Sequence, residues 1–596
     1  MKIELEYQKW ISNENLDAQL RIQLEAMTDK EKEDAFYTNL EFGTAGMRGV
    51  IGPGTNRMNI YTIRKANVGF AKYLLENVEN AKERGVVIAY DSRHFSPEFA
   101  MESAKVLATH GIKAYVFEGE RPTPELSFAV RHLGCAGGIV ITASHNPPEY
   151  NGYKIYDESG CQTLPSEGDK VIAGVNGVDD VFAIHVQSEE ELSAAGLIVT
   201  VGPEIDDAYL ARVKDLEINA DIDKQALRVV FSPLHGTAGM LTMKLMADCG
   251  YTGLHLVDEQ AAPDGNFPTV NYPNPEDEAA FEYAIKKGYD VDADILLATD
   301  PDADRMGVAV KVSVGEYVTD TWTATMGSRP AFRTTDEYAL LTGNQTGAVL
   351  VYYILSQRKA KGTLPAKGRV FDTVVSSELA AKIARSYGLE TISTLTGFKF
   401  IGEQVRLMEG TEYEYVFGYE ESYGSMIGDF VRDKDAIQAV LILSEAAAYY
   451  KAQGKTLYDV LDDIYAEFGF YQEDLVNIAL TGKEGSEKIG LLLSEFRATP
   501  PTEIAGLKVI TVEDYKTSER VVDGESVTKI DLPSANVLKY ILEDGSWFVL
   551  RPSGTEPKAK IYISVVTDCR AVTSGRVEAI KKDVLTIVDG ILDKKD

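Results

Sequence analysis

The chain has 596 residues, 44% of them apolar and 26% charged, and its 60 Lys and Arg against 92 Asp and Glu give a formal net charge of −32. At about 150 residues per domain, this length predicts about four domains, and the composition excludes wholesale disorder. The negative balance argues against a nucleic-acid partner, because phosphate backbones would be repelled. A phosphate-bearing substrate would have to meet local clusters of Arg, Lys and backbone N–H groups.

The N-terminal segment has neither the basic nor the apolar region of a signal peptide, and no stretch approaches the ~18 apolar residues of a transmembrane helix. The four cysteines are scattered without C-x-x-C spacing, which favours free thiols in a reducing compartment over a disulfide or zinc framework. We therefore expect a cytoplasmic protein with no membrane partner.

Short apolar strands alternate with amphipathic helices, which predicts an α/β fold with parallel or mixed sheets. Strands are predicted at 86–90, 138–142, 229–231, 295–298, 415–417, 547–550 and 558–566. A helix is predicted over 62–80, where Ala66, Phe70 and Tyr73 share one face. A C-terminal helix is predicted from one apolar stripe, formed by Val577, Ile580, Val584, Ile587, Val588 and Ile591.

Several of these strands end in polar clusters, and in open α/β sheets ligands bind beyond the carboxyl ends of the strands. We therefore expect several domains to contribute to one site. Candidate boundaries near Pro203, Tyr317 and Phe468 divide the chain into domains 1–203, 204–317, 318–468 and 469–596. The pentapeptide Gly-Thr-Ala-Gly-Met occurs at 43–47 and again at 236–240, which favours an internal repeat.

Three carboxylates, Asp300, Asp302 and Asp304, follow a predicted buried strand at alternate positions. Clustered carboxylates repel one another unless a cation binds them, and hard divalent cations prefer oxygen ligands. A calcium-binding EF-hand would need Gly and Glu where Arg305 and Lys311 stand, so Mg²⁺ is favoured. The alternative is a polar turn that caps a helix.

Ser144 follows the predicted strand at 138–142, on a loop stiffened by two prolines. A serine can accept and donate a phosphoryl group when a cation neutralises the phosphate and a base takes the proton. His145 and Lys154 are candidate bases. A hydrolase nucleophile elbow would need Gly two residues to either side of the serine, which this sequence lacks. The alternative for Ser144 is an ordinary turn residue.

Four further segments suit anion or sugar binding. Residues 551–557 combine an Arg, two hydroxyls and a Gly, as a phosphate-binding loop would, although a plain hairpin is the alternative. Glu420 and Ser422 could hold sugar hydroxyls, and Lys399 could reach a phosphate, but both segments could be solvated loops. The glycine-rich loop at 43–49, with Arg48, also suits an anion.

The motifs TASHNP around Ser144, DPDADR around Asp300, GYEES around Glu420 and RPSGTEP around Arg551 occur together and in order. This combination resembles the α-D-phosphohexomutase superfamily, and within it the bacterial phosphoglucomutase branch that also contains phosphopentomutases. The resemblance runs from about residue 40 to the C-terminus. It implies three similar α/β domains with mixed sheets and a smaller C-terminal α+β domain around a central cleft.

The resemblance also implies roles for individual residues. Ser144 would be phosphorylated, with one of its phosphate oxygens joining Asp300, Asp302 and Asp304 around Mg²⁺, and Arg305 would lie near the transferring phosphoryl group. Glu420 and Ser422 match the sugar-binding loop. The loop for the non-reacting phosphate is matched by Arg551, Ser553, Gly554 and Thr555. Supporting positions are matched by Arg48, His145, Lys154, Thr396, Gly397 and Lys399.

The implied activity is interconversion of α-D-glucose 1-phosphate and glucose 6-phosphate through a glucose 1,6-bisphosphate intermediate, which also acts as activator. Mannose, pentose or amino-sugar phosphates are alternative substrates for the same mechanism. A metal-dependent phosphatase and a non-catalytic sugar-phosphate-binding protein are alternatives from other classes. Intact Ser144 and the intact aspartate triad argue against the non-catalytic one.

The segment 318–338 departs from the family pattern, because relatives pass quickly from the metal loop to a segment like 340–344. It is rich in Thr and lacks periodicity, so we predict an exposed loop or hairpin without catalytic groups. Deletion of 318–338 should leave turnover within about threefold of the intact protein, as a coupled assay would measure. Loss of activity would instead mean that the segment shapes the site.

Overall fold

A computed structural model describes residues 2–43, 45–312, 337–480, 482–553 and 558–593. The predicted insert at 318–338 lies outside these residues except for its last two. The chain divides into two units. The first comprises Met1–Ala309, Lys367–Arg369 and Phe398–Gln453, and the second Val310–Ala366, Val370–Gly397 and Gly454–Asp596. No helix within the described ranges is both long and apolar enough to cross a membrane.

The first unit begins with three helices, α1 (Lys2–Ile11), α2 (Ala18–Ala26) and α3 (Asp29–Phe36). Trp10 of α1 is buried and meets Phe36, Tyr61 and Phe182 edge-on, with ring centroids 5.3–5.8 Å apart. Tyr61 and Phe182 lie in the part of the chain that flanks the first sheet. Aromatic packing therefore attaches these helices to the α/β region that follows.

Residues 46–214 form the first α/β layer. Its strands are β1 (Gly46–Val50), β2 (Val86–Tyr90), β3 (Ala114–Phe117), β4 (Gly137–Ile141), β5 (Tyr150–Tyr156) and β6 (Ile198–Val201). Its helices are α4 (Ile60–Asn77), α5 (Ala81–Arg84), α6 (Ser96–Thr109), α7 (Thr123–His132), α8 (Pro165–Asn176), α9 (Glu189–Ala194) and α10 (Pro203–Lys214). The strand order is β1-β5-β4-β2-β3-β6, in which β1 and β5 run antiparallel to their neighbours. The sheet is therefore mixed, as predicted.

The helix predicted over 62–80 is α4, which begins two residues earlier because the Asn59 side chain accepts from the N–H groups of Tyr61 and Thr62. It ends at Asn77, because Val78 is extended. Cooperative packing then buries Ala66 and Phe70 of its apolar face against the first sheet, while Tyr73 is partly buried.

A second sheet follows in residues 229–311. Its elements are β7 (Val229–Ser232), α11 (Ala238–Asp248), β8 (Leu254–Leu256), α12 (Asp258–Ala261), α13 (Glu282–Val291), β9 (Ile295–Thr299) and β10 (Met306–Lys311). The strands β8, β7 and β9 pair in parallel. The two copies of the pentapeptide differ in local structure. Gly46 and Met47 of the first copy begin strand β1, whereas Ala238, Gly239 and Met240 of the second begin helix α11. The internal repeat stays a prediction.

Residues 338–451 supply β11 (Tyr338–Leu340), α14 (Gly343–Ala360), β12 (Gly368–Thr373), α15 (Glu378–Ser386), β13 (Glu390–Thr394), α16 (Phe398–Leu407), β14 (Glu414–Glu420), β15 (Gly424–Met426) and α17 (Ala436–Lys451). In the first unit, β14 and β15 form an antiparallel hairpin in which Glu420 lies opposite Gly424. The GYEES motif covers the end of β14 and the first two residues of the turn, so only Glu421 and Ser422 lie beyond the end of the buried strand.

The C-terminal part of the second unit is an antiparallel sheet with helices. Its elements are α18 (Leu457–Phe468), β16 (Phe470–Ala479), α19 (Gly482–Ala498), β17 (Glu503–Ile504), β18 (Leu507–Asp514), β19 (Glu519–Val522), β20 (Ser526–Lys529), β21 (Leu538–Leu542), β22 (Trp547–Pro552), β23 (Lys558–Thr567) and α20 (Arg570–Leu592). The strand order is β16-β23-β22-β21-β18-β19-β20. The predicted apolar stripe of α20 packs on this sheet. The predicted fold class, α/β layers with a C-terminal α+β part, is confirmed.

A buried carboxyl group gives the second unit a pH-dependent stability. Asp372 of β12 is buried, and burial raises its pKa to about 7 from an ordinary value of 3.8. The folded protein therefore binds this proton more tightly than the unfolded chain. The stability that Asp372 contributes is complete below the unfolded pKa, and it is lost as the pH rises through the folded pKa.

Asparagine stays neutral at every pH, so we expect Asp372→Asn to remove the fall in folding stability that Asp372 causes as the pH rises. Its stability relative to the wild type should increase with pH by up to about 1.4 kcal/mol per pH unit between the two pKa values. Urea unfolding across this pH range measures the difference, with exposed Asp531→Asn as the control. Parallel pH profiles of the wild type and the Asp372 variant would contradict the prediction.

Candidate active site

The aspartate triad lies on the loop between β9 and β10, and all three carboxylates are buried. The backbone N–H groups of Asp304 and Arg305 donate to Asp300 Oδ1 at 3.1 and 3.0 Å. A Cβ at Gly236 would collide with the backbone of Pro301, so only glycine lets α11 begin this close to the loop. The fold therefore holds the triad rigidly at the end of the second sheet.

One ligand atom from each of Asp300, Asp302 and Asp304 lies within 4.8 Å of the others. Two lysines offset part of this negative charge. Lys154 Nζ lies 2.8 Å from Asp302 Oδ2 and 3.4 Å from Asp304 Oδ2, and Lys434 Nζ lies 3.0 Å from Asp304 Oδ2. The cluster therefore combines three carboxylates with two ammonium groups in a buried volume.

The triad fits a hard divalent cation. Asp302 Oδ1 and Asp304 Oδ1 are buried and have no hydrogen-bond partner within the described ranges. A buried carboxylate oxygen without a hydrogen-bond partner has lost its hydration and gained nothing in return. A bound cation would compensate this loss. Carboxylate oxygens are the ligands that Mg²⁺ prefers. The residues that could hold a metal ion are therefore Asp300, Asp302 and Asp304.

Burial and neighbouring charges shift the pKa values of the three aspartates in different directions. Burial, together with the charges of Asp302 and Asp304, raises the pKa of Asp300 well above its ordinary value. Burial also raises the pKa of Asp302, but Lys154 outweighs it and the net pKa is lowered. Asp302 is therefore the carboxylate most firmly held in its charged form.

Ser144 lies on the loop after β4, and its hydroxyl donates to Asp300 Oδ2 at 2.7 Å. Its backbone has φ of +53°, a left-handed conformation that side-chain-bearing residues rarely adopt. The Ser144 N–H donates to Thr142 Oγ1 at 2.8 Å. The two motifs that the sequence separates by more than 150 residues thus meet at this hydrogen bond.

His145 and Arg305 lie beside this hydroxyl. His145 Nδ1 is 3.1 Å from Ser144 Oγ and accepts from Arg305 Nη1 at 2.8 Å. Burial, followed by the charges of Arg305 and Arg48, lowers the pKa of His145 to about 2. The imidazole is therefore neutral at ordinary pH, and its Nδ1 lone pair is engaged by Arg305 beside the serine.

Lys154 stands in the opposite protonation state. Burial lowers its pKa, but the carboxylates of Asp302 and Asp304 outweigh burial and the net pKa is raised. Lys154 is therefore protonated as it stands, and it acts as a hydrogen-bond donor and positive charge. Of the two candidate bases from the sequence, only His145 is held neutral in this arrangement.

The GYEES hairpin adjoins the loop between β9 and β10 that carries the aspartate triad. Arg305 and Gly424 form an antiparallel bridge, and the Met306 N–H donates to the Tyr423 carbonyl at 3.0 Å. A Cβ at Gly424 would collide with the Lys434 side chain, so glycine makes room for that lysine. Glu420 is buried at the end of β14, and Ser422 is partly exposed on the turn. The structure thus brings the predicted sugar loop next to Arg305.

Two more predicted residues belong to the same unit. Arg48 on β1 donates to Asn146 Oδ1 at 3.0 Å, which places its guanidinium beside the serine loop. Lys399 lies at the start of α16, where its carbonyl accepts from Cys161 Sγ at 3.4 Å, and burial lowers its pKa. Arg48 and Lys399 therefore both belong to the first unit.

The remaining predicted residues belong to the second unit. Thr396 and Gly397 follow β13, and Gly397 has φ of +113°. Arg551 lies near the end of β22 and donates to the Tyr562 hydroxyl at 3.5 Å, and the Ser553 N–H donates to the Lys558 carbonyl at 2.7 Å. Gly554 and Thr555 lie outside the described residues.

Sequence reasoning missed two contributors to the triad. Thr123, at the start of α7, donates its hydroxyl to Asp302 Oδ2 at 3.0 Å and its N–H to the Asp302 carbonyl at 2.9 Å. Lys434 also contacts Asp433 Oδ1 at 3.0 Å. The alternating charges of Asp433, Lys434 and Asp435 after an apolar hairpin were a usable signal for Lys434, whereas nothing in the local sequence marks Thr123.

A mixed α/β fold that sets a buried serine beside an acidic triad and an arginine is suited to phosphoryl transfer. Profiles of the phosphoglucomutase/phosphomannomutase family match four consecutive parts of the chain. These are alpha/beta/alpha domain I over 39–181, domain II over 207–314, domain III over 342–468 and the C-terminal domain over 500–582. The chain belongs to the phosphoglucomutase/phosphomannomutase family.

Known relatives agree with this membership. A phosphoglucomutase of Staphylococcus epidermidis is 38% identical over 544 residues, 91% of this chain and 93% of its own length. A phosphoglucomutase of Staphylococcus aureus is 38% identical over 558 residues, 93% of this chain and 95% of its own length. The likeness therefore spans nearly the whole of each protein.

Solved structures share the fold at lower identity. A phosphoglucomutase/phosphomannomutase family protein of Burkholderia thailandensis has a TM-score of 0.63 and 20% identity, covering 93% of this chain and 98% of its own. The phosphoprotein parafusin of Paramecium, a phosphoglucomutase, has a TM-score of 0.65 and 19% identity, and the match covers 94% of this chain and 97% of parafusin.

Loss of one triad carboxylate should weaken metal binding. We expect Asp302→Asn to lower Mg²⁺ affinity by more than about tenfold, because it removes a charged oxygen ligand. Isothermal titration with MgCl₂ measures the affinity directly, independently of turnover. Asp207→Asn, at an exposed aspartate paired with Lys244 in the same unit, is the control. Unchanged Mg²⁺ affinity in the Asp302 variant would contradict the assignment of the metal site.

Proposed function

We propose that this chain is a phosphoglucomutase. It would interconvert α-D-glucose 1-phosphate and glucose 6-phosphate by way of a phosphorylated Ser144. The observation that carries the proposal is the hydrogen bond of 2.7 Å from the buried Ser144 hydroxyl to Asp300, the first member of the triad. The Staphylococcus relatives, named phosphoglucomutase and 38% identical over most of this chain, support glucose phosphates over mannose or pentose phosphates.

Asp300, Asp302 and Asp304 would hold Mg²⁺, with a phosphate oxygen on Ser144 as a further ligand. Bound there, Mg²⁺ would stabilise negative charge on the phosphoryl oxygens. The chain supplies further positive charge around Ser144 through Arg305, whose guanidinium contacts His145, and through Lys154. Preorganised charges of this kind stabilise a transition state without reorganising during the reaction.

In the forward direction, phosphorylated Ser144 donates its phosphoryl group to the free 6-hydroxyl of glucose 1-phosphate. The bond from Ser144 Oγ to phosphorus breaks, a bond from the sugar oxygen to phosphorus forms, the hydroxyl proton passes to a general base, and Ser144 Oγ takes up a proton as it leaves. His145 and Lys154 are the candidate bases. Of these two, His145 is the residue held neutral. The product of this step is glucose 1,6-bisphosphate.

The bisphosphate must then turn over so that its 1-phosphate faces Ser144. Return of that phosphoryl group to Ser144 releases glucose 6-phosphate and restores the phosphoenzyme. Glu420 and Ser422 would hold sugar hydroxyls, while Arg48, Lys399, Thr396 and Gly397 would assist binding. Arg551, Ser553, Gly554 and Thr555 would hold the phosphate that does not react. We also propose that added glucose 1,6-bisphosphate activates the enzyme and that it works in the cytoplasm.

Replacing the phosphorylated residue tests the proposal. We expect Ser144→Ala to show no detectable conversion in an assay that couples glucose 6-phosphate to a dehydrogenase, because the alanine cannot carry a phosphoryl group. The exposed Ser166→Ala, in the same unit, should retain wild-type turnover. Near-normal turnover by the Ser144 variant would refute the mechanism.

An assay that detects each product separately distinguishes the alternatives. Glucose 1-phosphate, mannose 1-phosphate and ribose 1-phosphate are compared, each with Mg²⁺ and with or without glucose 1,6-bisphosphate, and inorganic phosphate is measured in parallel. A phosphatase would release inorganic phosphate and would need no bisphosphate. A preference for mannose or ribose phosphate would keep the mechanism and change the substrate.

A further inference from the structure

Arg93 follows strand β2 and is fully buried behind the Ser144 loop. Its guanidinium donates to four backbone carbonyls of the segment 144–150. Nη1 reaches Pro147 at 2.8 Å and Tyr150 at 3.0 Å, and Nη2 reaches Ser144 at 2.5 Å and also Asn146. One side chain thus gathers the carbonyls of the whole loop onto a single rigid, planar group.

The other side of the Arg93 guanidinium faces a carboxylate and an aromatic ring. Its Nε lies 3.3 Å from Asp91 Oδ2, and the Phe267 ring covers the guanidinium at 4.9 Å. Asp91 Oδ1 in turn accepts from the Arg93 N–H at 3.0 Å and from Ser96 Oγ at 2.8 Å. A buried guanidinium is costly to desolvate, so this charge persists because its carboxylate, carbonyl and aromatic partners compensate the loss of water.

The neighbours of Arg93 in the chain contact the segment that follows strand β7 of the second sheet. Ser92 Oγ donates to the His235 carbonyl at 2.8 Å, and a Cβ at Gly265 would approach His94 N to 2.8 Å and Ser92 O to 2.9 Å. The loop that begins at His235 supports the triad, since the Thr237 N–H donates to the Pro301 carbonyl at 2.9 Å. The segment 92–94 therefore contacts both the Ser144 loop, through Arg93, and the loop at His235 that supports the aspartate triad.

The Ser144 backbone needs such support. A residue with a side chain is strained in the left-handed region, and it persists there only where the surroundings determine its conformation. At φ of +53°, Ser144 directs its hydroxyl to Asp300, while its carbonyl is held from behind by Arg93. If the carbonyl were released, the backbone could relax and the hydroxyl would leave that position.

We propose that Arg93 is a positioning residue for phosphoryl transfer at Ser144. It sets the conformation of the serine loop and its distance from the aspartate triad. Its guanidinium is enclosed by protein groups, so it acts through Ser144 rather than on the sugar phosphate. This inference rests on the proposed function, because it concerns the reaction of a phosphorylated Ser144.

Arg93→Lys keeps the charge but cannot donate to four carbonyls. We expect kcat to fall by about 10²-fold, the cost of a small misplacement of a reacting group. KM for glucose 1-phosphate should stay within about threefold of the wild type, because substrate contacts are intact. Amide hydrogen exchange should become faster in residues 142–150 and stay unchanged in the second unit.

Arg84→Lys is the matched control. Arg84 also donates to carbonyls, those of Gly134 at 3.0 Å and Cys135 at 2.9 Å, and pairs with Glu158, but these groups are outside the serine loop. Its kcat should stay within about threefold of the wild type. A fall in kcat equal to that of Arg93→Lys would attribute the effect to general loss of packing and overturn the inference.

Phe267→Leu is the second variant, and it decides the matter if Arg93→Lys does not fold. It keeps an apolar side chain but removes the aromatic face on Arg93, so kcat should fall by about threefold or more with KM unchanged. Wild-type kcat in Phe267→Leu, or in a folded Arg93→Lys, would refute the positioning role. A wild-type protein that carries no phosphate on Ser144 and converts no sugar phosphate would refute the proposed function instead.

Discussion

The repulsion among three buried carboxylates is the constraint on which the site depends. Asp300, Asp302 and Asp304 place their ligand atoms within 4.8 Å of one another, where water cannot screen their charges. Lys154 and Lys434 compensate part of this charge from two other segments. The remaining negative charge is available to bind a metal ion, which could in turn stabilise a phosphoryl group.

The same cluster determines how the surrounding segments are arranged. The serine loop reaches the triad through one hydroxyl, and the GYEES hairpin reaches it through the bridge between Arg305 and Gly424. Glycine occurs where a backbone or side chain must approach most closely, at Gly236 against the metal loop and at Gly424 against Lys434. Three distant parts of the chain therefore fit together because small residues and opposite charges occur at their contacts.

Much of the site could be predicted because its chemistry is concentrated in short motifs. Three alternating aspartates after a buried strand predict a cation site from their charges alone, and Ser144 after the strand at 138–142 predicts a candidate phosphoryl carrier. Thr123 could not be predicted in this way, because it is an ordinary residue in its local sequence. The contacts of Lys434, Thr123 and Arg93 exist only because the fold brings a distant carboxylate or carbonyl to each of them.

The pentapeptide at 43–47 and 236–240 shows the same limit from the other side. The last two residues of the first copy lie in a strand and the last three of the second in a helix, because the flanking contacts decide between conformations of similar local energy. The sequence by itself determined the α/β class and the acidic triad, since periodicity and clustered charge are local properties. Only the tertiary structure decided which cations face the triad, how Ser144 is held and that the His145 imidazole is neutral. Those properties depend on burial and on distances between residues far apart in the chain.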